Sequence, residues 1–284
     1  MSDPIIVGTD ASAGADRAID WAADEAALRH RPLRIVHSLE KALRELPLVS
    51  SSHAANAVNT AGRRILDEAG RRARERHPGI DVTTELVAEG TATALHDRSE
   101  KAFELVVGHR GLGGFASLML GSTGLHAAAH AACPVVIVRG DAVPRHDEIV
   151  VGIDLIGDPA VALGYAFEAA AVRSARVRVV HAWQIGDALV DLRQEIDARD
   201  AEEKLRSDVL QRLMPWRKAQ PSTEVIEEVV REHPVAALTD ASRNADLVVV
   251  GALDHHWYQS PWLGSVSHGV IHHAHCPVAV ARAK

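Results

Sequence analysis

One feature constrains this chain more than any other: it repeats itself. Pro4-Ile-Ile-Val-Gly-Thr-Asp10 recurs as Glu148-Ile-Val-Val-Gly-Ile-Asp154, and Arg34-Ile-Val-His37 recurs as Arg178-Val-Val-His181. Leu120-Gly-Ser122 recurs as Leu263-Gly-Ser265, and Cys133-Pro-Val-Val-Ile137 as Cys276-Pro-Val-Ala-Val280. The offset stays at 143 to 144 residues throughout. A unit of about 140 residues is an ordinary single domain, so a duplicated domain is expected, with boundaries at 1–141 and 147–284. Gly140-Asp-Ala-Val-Pro-Arg-His146 has the polar, proline-containing composition of a short linker.

Within a unit, short apolar runs alternate with helical periodicity. Pro4–Asp10, Leu33–His37, Asp81–Val87, Leu105–Val107 and Pro134–Val138 read as strands. Residues 14–30, about 56–77, about 91–101 and the run ending at Ala132 read as helices. Five strands alternating with four helices specify an α/β unit built on a doubly wound parallel sheet. The segments at 39–55 and 183–194, after the second strand of each unit, are the least alike.

The stretch with the most chemistry is Glu104 to Thr123. A buried strand runs into Gly108-x2-Gly111-x9-Gly121-Ser122, also carrying Gly113 and Gly114, and opens on a small-residue helix. Glycine permits close backbone approach and positive φ. The first turn of a helix offers unpaired N–H groups and the positive end of its dipole. Together these parts make a phosphate cradle, with Ser122 and Thr123 adding hydroxyl donors and Arg110 a positive charge. The dinucleotide fingerprint and the P-loop both have different spacings, and no lysine lies between Glu104 and Arg139. A glycine-rich surface loop, a capping role for Asp10 and an ordinary N-cap at Ser122 are the alternatives when each is read alone.

Composition narrows the partners. Hydrophobic residues at 47% and charged ones at 24% are globular values, and a net charge of −7 without a basic run argues against nucleic acid. No apolar stretch is long enough to span a bilayer, and Met1-Ser-Asp-Pro is not read as a signal peptide. Cys133 and Cys276 each precede proline without metal-like spacing, and are expected to be buried thiols of a reducing cytoplasm. Seventeen histidines, with clusters at His255-His256 and His272-His273-x-His275, lack an accompanying ligand set, so no metal site is expected. Trp183, Trp216, Trp257 and Trp262 all fall in the second unit and are read as core.

The Val-Gly-Thr-Asp10 start, the glycine loop and the Ala-Cys-Pro-Val-Val strand, each duplicated, closely resemble the universal stress proteins in their tandem, actinobacterial form. The resemblance covers nearly the whole chain. It implies two five-stranded sheets of order 3-2-1-4-5, Rossmann-like and similar to the adenine nucleotide alpha hydrolase fold. It also implies ATP as the ligand, a role as a stress-response sensor or adaptor, and either a homodimer or intramolecular pairing of the two units through their last strands. In an open parallel sheet the ligand crevice lies where the winding reverses, which under this order falls between the strands ending at Asp10 and Gly108. Asp10 and the backbone near Val36 would border adenosine, Gly108 and Gly111 would lie against ribose and phosphate, and Gly121, Ser122 and Thr123 would meet the phosphates.

Phosphoryl transfer needs metal-holding carboxylates, a lysine and a positioned base, none of which the loop supplies. Mg²⁺ could be carried on the phosphates through water ligands. The expectation is therefore a binding module without catalytic residues, with a slow ATPase or self-phosphorylating protein as the alternative and a nucleotide-independent stress scaffold as a third. The units are expected to differ. In the second, Asp254 stands where the first has Gly111, His256-Trp257 replaces Gly113-Gly114, and Pro261 precedes the helix. A carboxylate ~5 Å from a phosphate charge at an effective dielectric of ~20 is repelled by ~3 kcal/mol before screening.

Overall fold

The computed structural model describes residues 2–40, 42, 52–111, 121–140, 145–184, 194–252 and 263–283. These divide into two compact units, one of residues 1–139 with 283–284 and the other of residues 140–282.

In the first unit the strands are β1 (Ile5–Gly8), β2 (Leu33–Ser38), β3 (Val82–Val87), β4 (Glu104–Gly108) and β5 (Val135–Val138). They lie in the order β3-β2-β1-β4-β5, and every pairing is parallel. Ile5 pairs with Leu33 on one side and Glu104 on the other, and the register carries on to Gly8 beside Val36 and Val7 beside Val106. Both faces of such a sheet are covered, which is why its strands are runs of Val, Ile and Leu rather than alternating patterns. Ile5, Leu33, Ile35, Leu105 and Ile137 are fully buried, each contributing about 1.5–3 kcal/mol of apolar transfer.

The helices are α1 (Ala13–Arg29), α2 (Ser52–Arg76), α3 (Thr91–Ser99) and α4 (Ser122–His130). Helix α1 lays Gly14, Ala15, Ala18, Ile19, Ala22, Ala23 and Ala26 on the sheet, a face small enough for close approach. Helix α2 begins about one turn before the periodicity suggests and clips to α1 by two bidentate ion pairs, Arg72–Asp20 (2.6 and 2.5 Å) and Arg76–Asp24 (2.5 and 2.7 Å).

The second unit has the same plan. Strands β6 (Glu148–Gly152), β7 (Arg176–Ala182), β8 (Val225–Val230), β9 (Leu247–Gly251) and β10 (Val278–Ala281) run in the order β8-β7-β6-β9-β10, again all parallel. Its helices are α5 (Ala160–Arg173), α6 (Gln194–Ala219), α7 (Pro234–Ala241) and α8 (Ser265–His273). Here α5 and α6 are joined by stacking. Trp216 lies 5.7 Å from Phe167, centroid to centroid, and its ring passes over Gly164, where a Cβ would stand 3.1 Å from it. Trp183 is half-buried beneath Arg231, while Trp257 and Trp262 lie outside the described residues. Both cysteines are buried thiols. No described helix is long and apolar enough to cross a membrane.

Candidate functional site

Beyond the ends of β1 and β4 the winding reverses, and the two loops that leave these strands are pressed together. After β1 the chain turns sharply. Asp10 Oδ1 accepts the Ser12 N–H (3.0 Å), Thr9 Oγ1 accepts the Ala11 N–H (3.3 Å), and Ser12 Oγ caps α1 by accepting from Ala15 N–H (3.2 Å). Ala11 at the apex has φ of 62°, a left-handed conformation that a side chain disfavours by about 1–2 kcal/mol. Among the described residues the second unit shows no positive φ at the matching Leu155, although the Asp154–Ile156 hydrogen bond is kept at 3.0 Å.

The glycines explain how the loops meet. A Cβ on Gly108 would lie 2.6 Å from the backbone C and O of Gly14, one on Gly14 would lie 2.4 Å from Arg110 O, and one on Gly111 would lie 2.3 Å from Asp10 Oδ2. Ser12 Oγ also donates to Arg110 O at 3.3 Å. Gly108 and Gly111 therefore serve contacts within the protein. Gly121 is different. It has φ of −64° and ψ of 147°, and its added Cβ would find no atom closer than 3.7 Å. Its N–H donates to His109 O (2.9 Å), closing the loop whose residues 112–120 lie outside the described set.

Helix α4 starts at once. Ser122 and Thr123 are its first two residues, and the first bond back to the N-cap runs from Leu125 N–H to Gly121 O (3.1 Å). The N–H groups of Ser122, Thr123 and Gly124 thus precede the helical ladder. Val36, within β2, spends its carbonyl on Thr9 N–H (2.9 Å), and His37 Nδ1 donates to Thr9 O (2.8 Å). The second unit repeats this latch with Ile153 N–H to Val180 O (3.0 Å) and His181 Nδ1 to Ile153 O (3.1 Å). It is therefore a structural tie. Of the residues expected from the sequence, Asp10, Gly108, Arg110, Gly111 and Gly121 come together around one crevice, Ser122 and Thr123 open the helix at its edge, and Val36 borders it through the β1–β2 latch.

Three residues at this crevice were not legible as candidates: Arg17, His109 and Arg139. His109 N–H donates to Val138 O (3.1 Å), which sets the imidazole among arginines. Burial, followed by the charges of Arg139, Arg110 and Arg17, pushes its pKa down to about 4. His109 is neutral in the folded protein above that value, whereas in the unfolded chain it takes up a proton near 6.5. Between those limits the unfolded state binds more protons, so stability rises as pH goes from about 4 to 6.5 and is level in this respect above it. For a half-exposed group the full shift must be discounted, leaving about 1–2 kcal/mol. Urea melts at pH 4.5 and 7 should show His109→Gln losing that part of the pH dependence; identical slopes in both proteins would contradict the assignment.

Beside the same turn is an open hollow of about 500 Å³ between α1 and α2, reached past Thr9 and Ala11 and walled by Asp16, Ile65, Ala69 and Arg72. In the second unit Arg212 follows Ala69 by 143 residues, as Arg217 follows Arg74; both of the latter donate to the first strand residue beyond the helix, Val225 O and Val82 O. Arg212 reaches back to the β6–α5 loop, donating to Gly157 O (2.6 Å) and Leu155 O (3.1 Å). Among the described residues, a Cβ on Gly251 would meet nothing within 4 Å, unlike one on the matching Gly108. Asp254, His255, His256, Trp257 and Pro261 lie outside the described residues. Among the described ones, no group of three or more His, Cys, Asp or Glu side chains is placed to hold a metal ion.

Two units, each a parallel, doubly wound arrangement of five strands with helices on both faces, define a tandem α/β protein of the Rossmann-like class. The profile of the universal stress protein family matches residues 1–139 and again residues 146–282. The chain belongs to that family. A universal stress protein of Mycolicibacterium smegmatis is 33% identical to it over 98% of this chain and 96% of its own length. One from Mycobacterium tuberculosis is likewise 33% identical, with the same coverage of each chain. Among solved structures, the crystal structure of a universal stress protein from Archaeoglobus fulgidus aligns over 99% of both chains with a TM-score of 0.70 at 19% identity, a likeness of fold.

Proposed function

We propose that the first unit binds an adenine nucleotide, ATP, at the crevice between β1 and β4, and that the chain acts as a nucleotide-dependent sensor or adaptor in a stress response. The observation that carries this reading is Gly121. Its backbone conformation is open to any residue, and the protein leaves room for a Cβ. What a side chain would obstruct is the approach to the first N–H groups of α4, where an anion is favoured by unpaired donors and the helix dipole. Gly121, Ser122 and Thr123 would hold phosphate, Arg110 would add charge, and Asp10 and the edge near Val36 would face the nucleoside. Mg²⁺ would travel with the phosphates. The two buried thiols fit a reducing cytoplasm.

ATP bound in this way is held without being turned over. Among the described residues, the crevice's side chains are arginines, a neutral imidazole, hydroxyls and Asp10, whose Oδ1 accepts from its own turn and whose Oδ2 abuts Gly111. Purified protein is expected to carry intact ATP, identified by mass spectrometry of the released ligand, and to hydrolyse it far below about 1 s⁻¹, the low end of ordinary enzymes. Turnover at that rate would place the protein among the ATPases. Finding no nucleotide affinity by calorimetry would remove the proposal.

A further inference from the structure

We propose that Arg17 is the specificity-determining residue of this site: its guanidinium, with those of Arg110 and Arg139, receives the polyphosphate, so that the crevice selects nucleotides by charge. This rests on the nucleotide reading above and says which part of the ligand sets affinity. Arg17 follows Gly14 by three residues on α1 and so shares its face. Gly14 is the residue pressed against Gly108 and Arg110. That face therefore carries Arg17 towards the ends of β4 and β5, where His109 and Arg139 stand.

An arginine placed there ought to have a carboxylate, and it does not. Neither Arg17 nor Arg110 makes a side-chain hydrogen bond or ion pair among the described residues, and the Nε of Arg17 is buried without a partner. Leaving such a donor unsatisfied is costly unless something else meets it. The carboxylates nearby on α1 are used elsewhere: Asp16 lies 3.5 Å from Arg72, and Asp20 is chelated by the same guanidinium. The neutral state of His109 reports the same imbalance, since three positive charges act on it. An anion is the missing partner, and the planar guanidinium suits phosphate oxygens.

The second unit lacks this device. The position matching Arg17 holds Val161, 40% exposed, and those matching His109 and Arg110 hold Ala252 and Leu253. Of the cationic set only Arg282 remains, at the position matching Arg139.

The test is calorimetry on the full chain with ATP and with adenosine, for the native protein, Arg17→Gln and Arg17→Lys. The native protein should bind ATP more tightly than adenosine. In Arg17→Gln the ratio of the two affinities should fall about ten-fold, with Arg17→Lys in between, and with the melting temperature of the unliganded protein no lower than native, because no described hydrogen bond is lost and an unsatisfied buried donor is removed. In an NMR titration ATP should move the His109 pKa upward in the native protein and less in Arg17→Gln. An unchanged affinity ratio in Arg17→Gln, while the native protein still prefers ATP, would overturn the role of Arg17 and leave the nucleotide reading standing. A native protein that binds neither ligand would overturn both.

Discussion

Gly108→Ala is expected to destabilise the first unit by about 2–3 kcal/mol, the range for forcing a methyl group into packed backbone. The new Cβ would stand 2.6 Å from Gly14 C and O and 3.1 Å from Ala15 N. None of these atoms can swing aside as a side-chain tip would. Gly14→Ala meets Arg110 O at 2.4 Å and should behave alike. Gly111→Ala is a milder case, because its obstacle is the Asp10 carboxylate, which can rotate; the loss is then mainly the Asp10–Ser12 bond, about 1 kcal/mol. Gly121→Ala should leave stability within about 0.5 kcal/mol or raise it slightly, since alanine restricts the unfolded chain. Urea denaturation of the four variants would show two clearly lowered midpoints, one slightly lowered and one unmoved. The binding order should be different, with Gly121→Ala losing ATP affinity despite its native stability. Equal stability for Gly108→Ala and the native protein would mean that the two loops do not meet as described.

This separation marks how far the sequence could be read. Strand and helix content was legible because buried parallel strands are apolar runs and α1 has helical periodicity. The duplication was legible as plain repetition, and the strand order followed from the family resemblance. The spacing of Gly108, Gly111 and Gly121 was legible too, but a glycine does not say what approaches it. Two of the three turned out to face protein atoms, a fact held by Gly14 and Asp10, about a hundred residues away in the chain. Arg17 was hidden for a related reason. In sequence it is one charged residue of an amphipathic helix, of the kind that normally points to water. Only the docking of Gly14 on Gly108 shows which way it faces. His109 looked like any loop histidine until the β5 end and its arginine were placed beside it.

The largest difference between the units should appear when the hollow beside Asp10 is filled. Ala69→Arg would put into the first unit the side chain that the second already carries as Arg212. Arg212 bonds Leu155 O and Gly157 O, and the matching carbonyls in the first unit are those of Ala11 and Ala13. A guanidinium lying across that turn would occupy part of the 500 Å³ hollow, which on the proposed reading takes the nucleoside end of the ligand, and would add a third cation to walls that already carry Arg64 and Arg72. ATP affinity should fall at least ten-fold, or about 1.4 kcal/mol. Ala69→Leu fills the same space without charge and should also weaken binding, which guards against a variant that fails merely by burying an ion. The reverse change, Arg212→Ala, should not create a second site. It opens the space, but Val161 still stands at the position of Arg17, the β6–α5 turn is unstrained at Leu155, and Asp254 keeps its negative charge in the loop. Equilibrium dialysis should therefore give about one ATP per chain for the native protein and for Arg212→Ala, and little or none for Ala69→Arg at the same concentrations. Two equivalent tight sites in the native protein, or full binding by Ala69→Arg with an intact fold, would show that neither the hollow nor the arginine opposite it decides which unit takes the nucleotide.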